Sequence, residues 1–236
     1  MTMAWKKSGQ SLIYSLFNPF IKLLIKIGVT PNMVTVMGLL LNMLAAGIFV
    51  YGAENADRND HSFVVWAGLA ILIGGLMDMI DGRMARIGNM ESDYGALFDS
   101  VLDRYSEMIM FLGICYYLIA HDFFLSSLFA FIALIGSVMV SYTRARAEGL
   151  GADAAVGAMQ RPERILIISI TALLTGAASA IFGAEYKISV DWLPFPLFEP
   201  ITVFTFPIFL LAVAANVTAV RRLFHAKREL DNPKVS

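Results

Sequence analysis

Residues 78–86 read DMIDGRMAR, and residues 95–103 read GALFDSVLD. The first stretch closes one long apolar run and the second opens the next. Each holds two aspartates, spaced three apart in the first and four apart in the second, so that on helices each pair shares one face. Because a short connection makes the two helices antiparallel neighbours, the sequence predicts that four carboxylates converge at a membrane boundary. These residues are Asp78, Asp81, Asp99 and Asp103.

Four ionised carboxylates in a poorly solvated place would repel one another, and burial would disfavour their charges further. One divalent cation, or two, would remove that cost. The ligand set is all oxygen, which favours a hard ion such as Mg²⁺ or Mn²⁺ over zinc. Four carboxylates, some of them shared between two metal ions, are typical of sites in which a pair of ions about 4 Å apart binds a phosphoryl group. Arg86 would add a guanidinium suited to phosphate, although it and Arg83 would serve equally well as cytoplasmic anchors.

The composition around these stretches is that of a membrane protein. Of the 236 residues, 58% are hydrophobic and only 16% are charged, whereas soluble domains carry about a quarter charged residues. A membrane-spanning helix needs about 20 mostly apolar residues. The sequence therefore predicts an all-α integral membrane fold with six transmembrane helices. The six segments are 33–52, 62–80, 100–120, 123–143, 164–183 and 200–220.

Residues 8–28 have a different pattern. Apolar residues recur at helical spacing, while Lys22 and Lys26 lie on another face, which is typical of an amphipathic helix in the membrane interface. Pro31 then suits the first turn of a new helix. We expect three parts: an N-terminal juxtamembrane helix over 1–29, a six-helix catalytic domain over 30–223 and a cytoplasmic tail over 224–236.

The basic residues predict the orientation. With six spans, 15 of the 18 lysines and arginines lie on one side of the membrane. Four are in the N-terminal arm, two in the 82–93 connection, four in the 144–164 connection and five in the C-terminal tail. Such an excess marks the cytoplasmic side, so we expect a multi-pass cell-membrane protein with both termini and the carboxylates in the cytoplasm. The single cysteine, Cys115, excludes a disulfide within one chain and a thiolate metal site.

The pattern DxxDGxxAR–x8–GxxxDxxxD resembles the signature of the CDP-alcohol phosphotransferases, and every signature position is filled from Asp78 to Asp103. The TPNMVT stretch at 30–35 is similar to the start of the family's first span. The resemblance implies that two divalent ions activate CDP-diacylglycerol, whose phosphatidyl group passes to an alcohol with release of CMP. It also implies a homodimer in the lipid bilayer, and we expect no nucleic-acid partner.

Residue roles follow from the same resemblance. Asp78, Asp81 and Asp99 would be metal ligands, and Asp103 would be both a ligand and the general base. For Asn32 and Thr35 a helix-capping role is an equal alternative. The residues implied to hold the CDP-lipid are Asn32, Thr35, Gly82, Ala85, Arg86, Ser92 and Gly95.

Two arginine-rich stretches bear on the identity of the acceptor alcohol. They are residues 141–148, SYTRARAE, and residues 160–164, QRPER. Guanidinium groups recognise phosphate through paired donors, so we expect a phosphorylated acceptor, with plain cytoplasmic anchoring as the alternative. The region resembles the phosphatidylinositol-phosphate synthase branch, which implies inositol 1-phosphate. Arg164 would instead be structural, paired with Glu163 or Glu148. The candidates for binding the acceptor phosphate are Arg144, Arg146, Arg161 and Arg222.

Other functions stay open at this point. Glycerol 3-phosphate or serine would be alternative acceptors, and an ether lipid an alternative donor. Intramembrane aspartates are also typical of a cation channel or transporter, but no acidic residues continue the path through the last three spans. A non-catalytic membrane scaffold is the third class, against which the complete motif argues.

Overall fold

The computed structural model describes residues 18–154, 156–157, 159–193 and 195–231, and these ranges form an all-helical chain with seven helices. An isolated antiparallel bridge between Ile188 and Phe198 folds the last connection back on itself. The helices are α1 over 18–26, α2 Pro31–Asn55, α3 Ser62–Gly88, α4 Asp93–Ala120, α5 Phe124–Glu148, α6 Arg161–Phe182 and α7 Thr202–Asp231.

Among the described residues, five helices are long and apolar enough to cross a membrane, namely α2, α3, α5, α6 and α7. The sixth predicted span corresponds to α4, which has 28 residues but carries five charged side chains within residues 93–107. The predicted helices are thus present, whereas the crossing of the membrane by α4 stays a prediction. The charged residues of α4 are Asp93, Asp99, Asp103, Arg104 and Glu107.

Local signals set the ends of the helices around the aspartates. Pro31 opens α2, and the preceding Thr30 caps it by accepting a hydrogen bond from the backbone N–H of Met33 at 3.4 Å. Asn89 closes α3 in the left-handed conformation, with φ of 51°. Ser92 caps α4 by accepting from the N–H of Gly95 at 3.0 Å. The reversal between α3 and α4 is therefore as short as the sequence predicts.

The packing of these helices differs from the prediction. α3 and α4 do not pack along their lengths as neighbours; α2 packs against both of them, and α6 packs against α3. Glycines permit the close approach of α2, since a Cβ on Gly74 would lie 2.9 Å from Asn42 and one on Gly113 would lie 2.7 Å from the backbone of Ala46. A cleft remains between the aspartate-bearing ends of α3 and α4.

The described part of the N-terminal helix packs beside this cleft. Ile21 of α1 is buried against Val34 of α2 and against Ile80 and Met84 of α3. Phe20 and Leu23 on other faces are exposed, which supports an interfacial position. Residues 8–17 of the predicted helix lie outside the described residues.

The opposite end of the bundle has its own core. Phe49 stacks with Phe204 at a centroid distance of 6.1 Å and contacts Tyr117 at 5.6 Å. Arg58 donates two hydrogen bonds to the carboxylate of Glu199, at 3.1 and 3.2 Å. These contacts join α2, α4 and α7 far from the aspartates.

Candidate active site

The four aspartates occupy the facing ends of α3 and α4, and all lie at least partly inside the bundle. Asp81 is the most buried, with 4% of its surface exposed. Asp78, Asp81 and Asp103 each lie within electrostatic range of Asp99. The four aspartates therefore lie near one another at the ends of two separated helices, and Asp81 and Asp99 line one cavity. A single site shared by all four stays a prediction.

Arg161, the first residue of α6, lies among these carboxylates. Its Nη1 pairs with Oδ2 of Asp78 and, at 2.8 Å, with Oδ1 of Asp103. Because the three residues belong to three helices, this guanidinium joins α3, α4 and α6 at one point. The predicted acceptor-phosphate ligand thus lies directly beside the predicted general base.

Thr35 supplies a contact that the sequence did not reveal. Its hydroxyl donates a hydrogen bond to Oδ2 of Asp81 at 2.8 Å. The capping role considered for Thr35 and Asn32 is wrong for this helix, because Thr30 is the residue that caps it. Thr35 instead orients one of the carboxylates.

A cavity of about 220 Å³ opens beside Asp81 and Asp99. All seven residues predicted to hold the CDP-lipid contribute to its wall, from α2, from the end of α3 and from the start of α4. A Cβ on Gly95 would lie 3.0 Å from Oγ of Ser92 and 3.6 Å from Oδ1 of Asn32. These residues therefore surround one cavity next to Asp81 and Asp99, with polar and small apolar side chains in its wall.

The other candidate arginines do not join this cleft. Arg144 and Arg146 are exposed near the end of α5, and Arg144 pairs with Glu148 at 2.7 Å. Arg222 is buried and donates from Nε to the carbonyl of Val156 at 2.7 Å and from Nη1 to that of Val140 at 2.8 Å. Of the four candidates, only Arg161 has contacts with the aspartates in the described structure.

Arg164 has the structural role that the sequence allowed, but with a different partner. Its guanidinium forms a paired hydrogen bond with Glu107 of α4, whereas Glu148, one of the two proposed partners, pairs with Arg144. Glu107 was missed entirely. The available signal was an acidic residue one helical turn after Asp103 inside an apolar segment, where charges are costly without a partner.

The donor chemistry fits a hard cation, but the side chains do not yet form a cage. Within the described residues, no group of three acidic, histidine or cysteine side chains is arranged to hold a metal ion. Asp78 and Asp103, from different helices, nevertheless converge on a single positive group, the guanidinium of Arg161. Arg161 thus supplies a positive charge to these carboxylates, and the atoms that face it are all oxygen.

A bundle of long apolar helices with aspartates, an arginine and glycines gathered at one end is typical of an integral-membrane enzyme with an internal polar site. Residues 28–219 match the profile of the CDP-alcohol phosphatidyltransferases, and the chain belongs to this family of transferases. The signature that the sequence analysis singled out, and the membership it predicts, are confirmed.

Two named relatives align with this chain over most of the length of each protein. An archaetidylinositol phosphate synthase of Pyrococcus horikoshii is 31% identical over 212 residues, 89% of this chain and 90% of that protein. A phosphatidylinositol phosphate synthase of Mycobacteroides abscessus is 31% identical over 214 residues, 89% of this chain and 83% of the relative.

Solved structures agree with the fold. Mycobacterium tuberculosis phosphatidylinositol phosphate synthase with CDP-DAG bound superposes with a TM-score of 0.68 and 27% identity, covering 88% of this chain and 92% of that one. The same enzyme in complex with manganese and citrate gives a TM-score of 0.67 at 26% identity, covering 89% and 88%.

Proposed function

We propose that this transferase moves the phosphatidyl group of CDP-diacylglycerol to a hydroxyl of inositol 1-phosphate and releases CMP. The observation that carries the proposal is the position of Arg161 against Asp103. A guanidinium binds a phosphate through paired donors, so an acceptor whose phosphate meets Arg161 has its hydroxyl close to that carboxylate. The names of the relatives in Pyrococcus and Mycobacteroides support the same acceptor.

Asp103 would accept the proton of the attacking hydroxyl. The new bond forms between that oxygen and the lipid-side phosphorus, and the bond from this phosphorus to the bridging oxygen of the diphosphate breaks. CMP leaves with the electron pair of the broken bond. Asp103 is suited to this role because its carboxylate pairs with Arg161, the residue proposed to bind the phosphate of the acceptor.

We further propose that the four aspartates hold two divalent ions, Mg²⁺ or Mn²⁺. Bound there, the ions would neutralise the diphosphate and stabilise the oxygen of the leaving CMP. For the carboxylates to become ligands, Arg161 must release Asp78 or Asp103, which also frees its guanidinium for the acceptor phosphate. Thr35 keeps Asp81 oriented through its hydrogen bond. The manganese complex of the M. tuberculosis enzyme supports the choice of metal.

The cavity beside Asp81 would hold the CDP group. Arg86 is exposed at its rim and would contact a phosphate, while Gly82 and Gly95 leave room for the nucleotide against the backbone. The CDP-DAG complex of the M. tuberculosis enzyme supports this donor. Arg144, Arg146 and Arg222 would extend the acceptor site, for which Arg222 must release the carbonyls of Val140 and Val156.

The proposal includes a membrane arrangement. α4 would be the sixth crossing, the aspartates and both termini would face the cytoplasm, and the enzyme would be a homodimer. The one-sided distribution of basic residues supports the orientation, and the exposed apolar faces of the helices support burial in lipid.

The decisive experiment is an acceptor competition with purified enzyme in detergent or nanodiscs. CDP-diacylglycerol and Mn²⁺ are supplied with inositol 1-phosphate, inositol, glycerol 3-phosphate or serine, and CMP and the lipid product are measured. We expect the highest kcat/KM with inositol 1-phosphate. A preference for serine or glycerol 3-phosphate would refute the proposed acceptor, and metal-ion flux in vesicles without CMP release would favour a transporter.

A further inference from the structure

A second charged pair lies one helical turn deeper than the aspartate cleft. Arg164 donates to Glu107 from Nε at 2.9 Å and from Nη2 at 3.0 Å, and the two side chains are 1% and 2% exposed. The remaining amino group, Nη1, donates to the carbonyl of Met159 at 2.8 Å. All three guanidinium nitrogens of Arg164 are thus engaged.

Such a pair is costly to keep inside a membrane bundle. Desolvation of both charges opposes their mutual attraction, and an apolar pair of similar volume is often equally stable. Charged residues inside apolar segments are accordingly rare and mark functional positions. Neither residue lines the cavity beside Asp81, and neither contacts the four aspartates. The pair therefore has a task other than binding the CDP-lipid.

The spacing of the residues indicates what that task is. Glu107 follows Asp103 by four positions on α4, and Arg164 follows Arg161 by three on α6, one helical turn in each case. The pairs Asp103–Arg161 and Glu107–Arg164 thus form two successive links between the same two helices. Because the deeper link is paired at two points and almost fully buried, it sets the rotation and height of α6 for the outer link.

The same arginine also holds the connection that precedes α6. The carbonyl of Met159 accepts from Arg164, and the carbonyl of Val156 accepts from Arg222. Arg161 begins α6 directly after this connection. The direction of its side chain therefore depends on both the connection and the helix. Arg164 is the only one of these residues that fixes both at once.

We propose that Glu107 and Arg164 are positioning residues that present Arg161 to the phosphate of the acceptor. The inference rests on the proposed function, in which that phosphate binds Arg161. Glu107 and Arg164 would thus raise the affinity for the acceptor although they touch neither substrate nor metal ion.

The test compares steady-state kinetics of Glu107→Gln with the wild type. Glutamine keeps the shape of the side chain but removes its charge and one of its two acceptor oxygens, so Arg164 loses one of its three hydrogen bonds and its counter-charge. Loss of a group that supports a metal ligand typically costs about 10- to 100-fold in affinity, and by analogy we expect the KM for inositol 1-phosphate to rise by that range. Because only binding is affected, kcat should stay within about threefold and the KM for CDP-diacylglycerol should not change.

The matched control is Glu199→Gln, which breaks the paired Arg58–Glu199 contact at the opposite end of the bundle. It should lower thermal stability without raising the acceptor KM. An equal rise in both variants, or an unchanged acceptor KM in Glu107→Gln, would overturn the inference. If Glu107→Gln does not yield folded enzyme, Glu107→Asp keeps the charge on a shorter side chain and should show the same selective rise in the acceptor KM.

The kinetics also distinguish failure of the proposed function from failure of the positioning role. If the wild type transfers to no phosphorylated acceptor, the proposed function is wrong and the positioning role falls with it. If the wild type uses inositol 1-phosphate and only the variant comparison is negative, the positioning role alone is wrong.

Discussion

The hydroxyl of Thr35 donates a 2.8 Å hydrogen bond to Oδ2 of Asp81, joining α2 to α3 across 46 positions of sequence. Asp81 is buried, and the backbone N–H of Gly82 donates to its other oxygen, Oδ1, so that both carboxylate oxygens accept a hydrogen bond. A hydrogen bond behind a metal ligand fixes the ligand's orientation. The first helix of the signature region therefore contributes to the proposed metal centre although it holds none of the aspartates.

Removal of this hydrogen bond should weaken metal binding. Thr35→Val keeps the shape of the side chain and deletes the donor, so we expect the Mn²⁺ concentration for half-maximal activity to rise about tenfold. Thr171→Val is the control, because that hydroxyl bonds only to backbone carbonyls of its own helix. Equal metal dependence of the two variants would contradict the role of Thr35.

Asp103→Asn should separate binding from chemistry. The amide cannot accept the proton of the hydroxyl, and general base catalysis typically contributes about 10²- to 10⁴-fold. We expect CMP release to fall by that factor while CDP-lipid binding in Mn²⁺, measured by calorimetry, persists. In contrast, Asp78→Ala should lose both binding and activity. Normal turnover by Asp103→Asn would exclude Asp103 as the base.

Arg161 should stabilise the protein most when metal is absent. Its guanidinium pairs with Asp78 and Asp103, so Arg161→Gln leaves those carboxylates without their positive partner. We expect this variant to melt at a lower temperature than the wild type in EDTA, and Mn²⁺ to narrow the difference because the ions supply the missing charge. A difference in melting temperature that is the same with and without Mn²⁺ would argue against exchange between Arg161 and the ions.

A methyl group at Gly95 should damage the CDP-lipid cavity. Its Cβ would lie 3.0 Å from Oγ of Ser92, which caps α4. Loss of such a cap costs about 1 kcal/mol, and the displaced Ser92 belongs to the cavity wall. Gly95→Ala should therefore bind CDP-diacylglycerol more weakly, as measured by calorimetry. Gly47→Ala is the control, since a Cβ there meets nothing within 4 Å, and equal affinities of the two variants would contradict the prediction.

Several features of this protein were determined by its sequence alone. Runs of apolar residues predict the long helices, because length and hydropathy are properties of the segment itself. Pro31 predicts a helix start, since the fit of proline to a first helical turn is a property of the residue itself. The complete aspartate and glycine motif predicts the family, because residue types and their spacing are properties of the sequence itself.

Only the tertiary structure decided which side chains meet across helices. The sequence predicts α3 and α4 as direct neighbours, but α2 packs against both, because glycines such as Gly74 allow close approach. The resemblance implies four arginines at one acceptor site, yet Arg161 contacts the aspartates while Arg222 is bound to backbone carbonyls. Periodicity tells which residues share a face of one helix, whereas the partner of that face depends on how all the helices pack together.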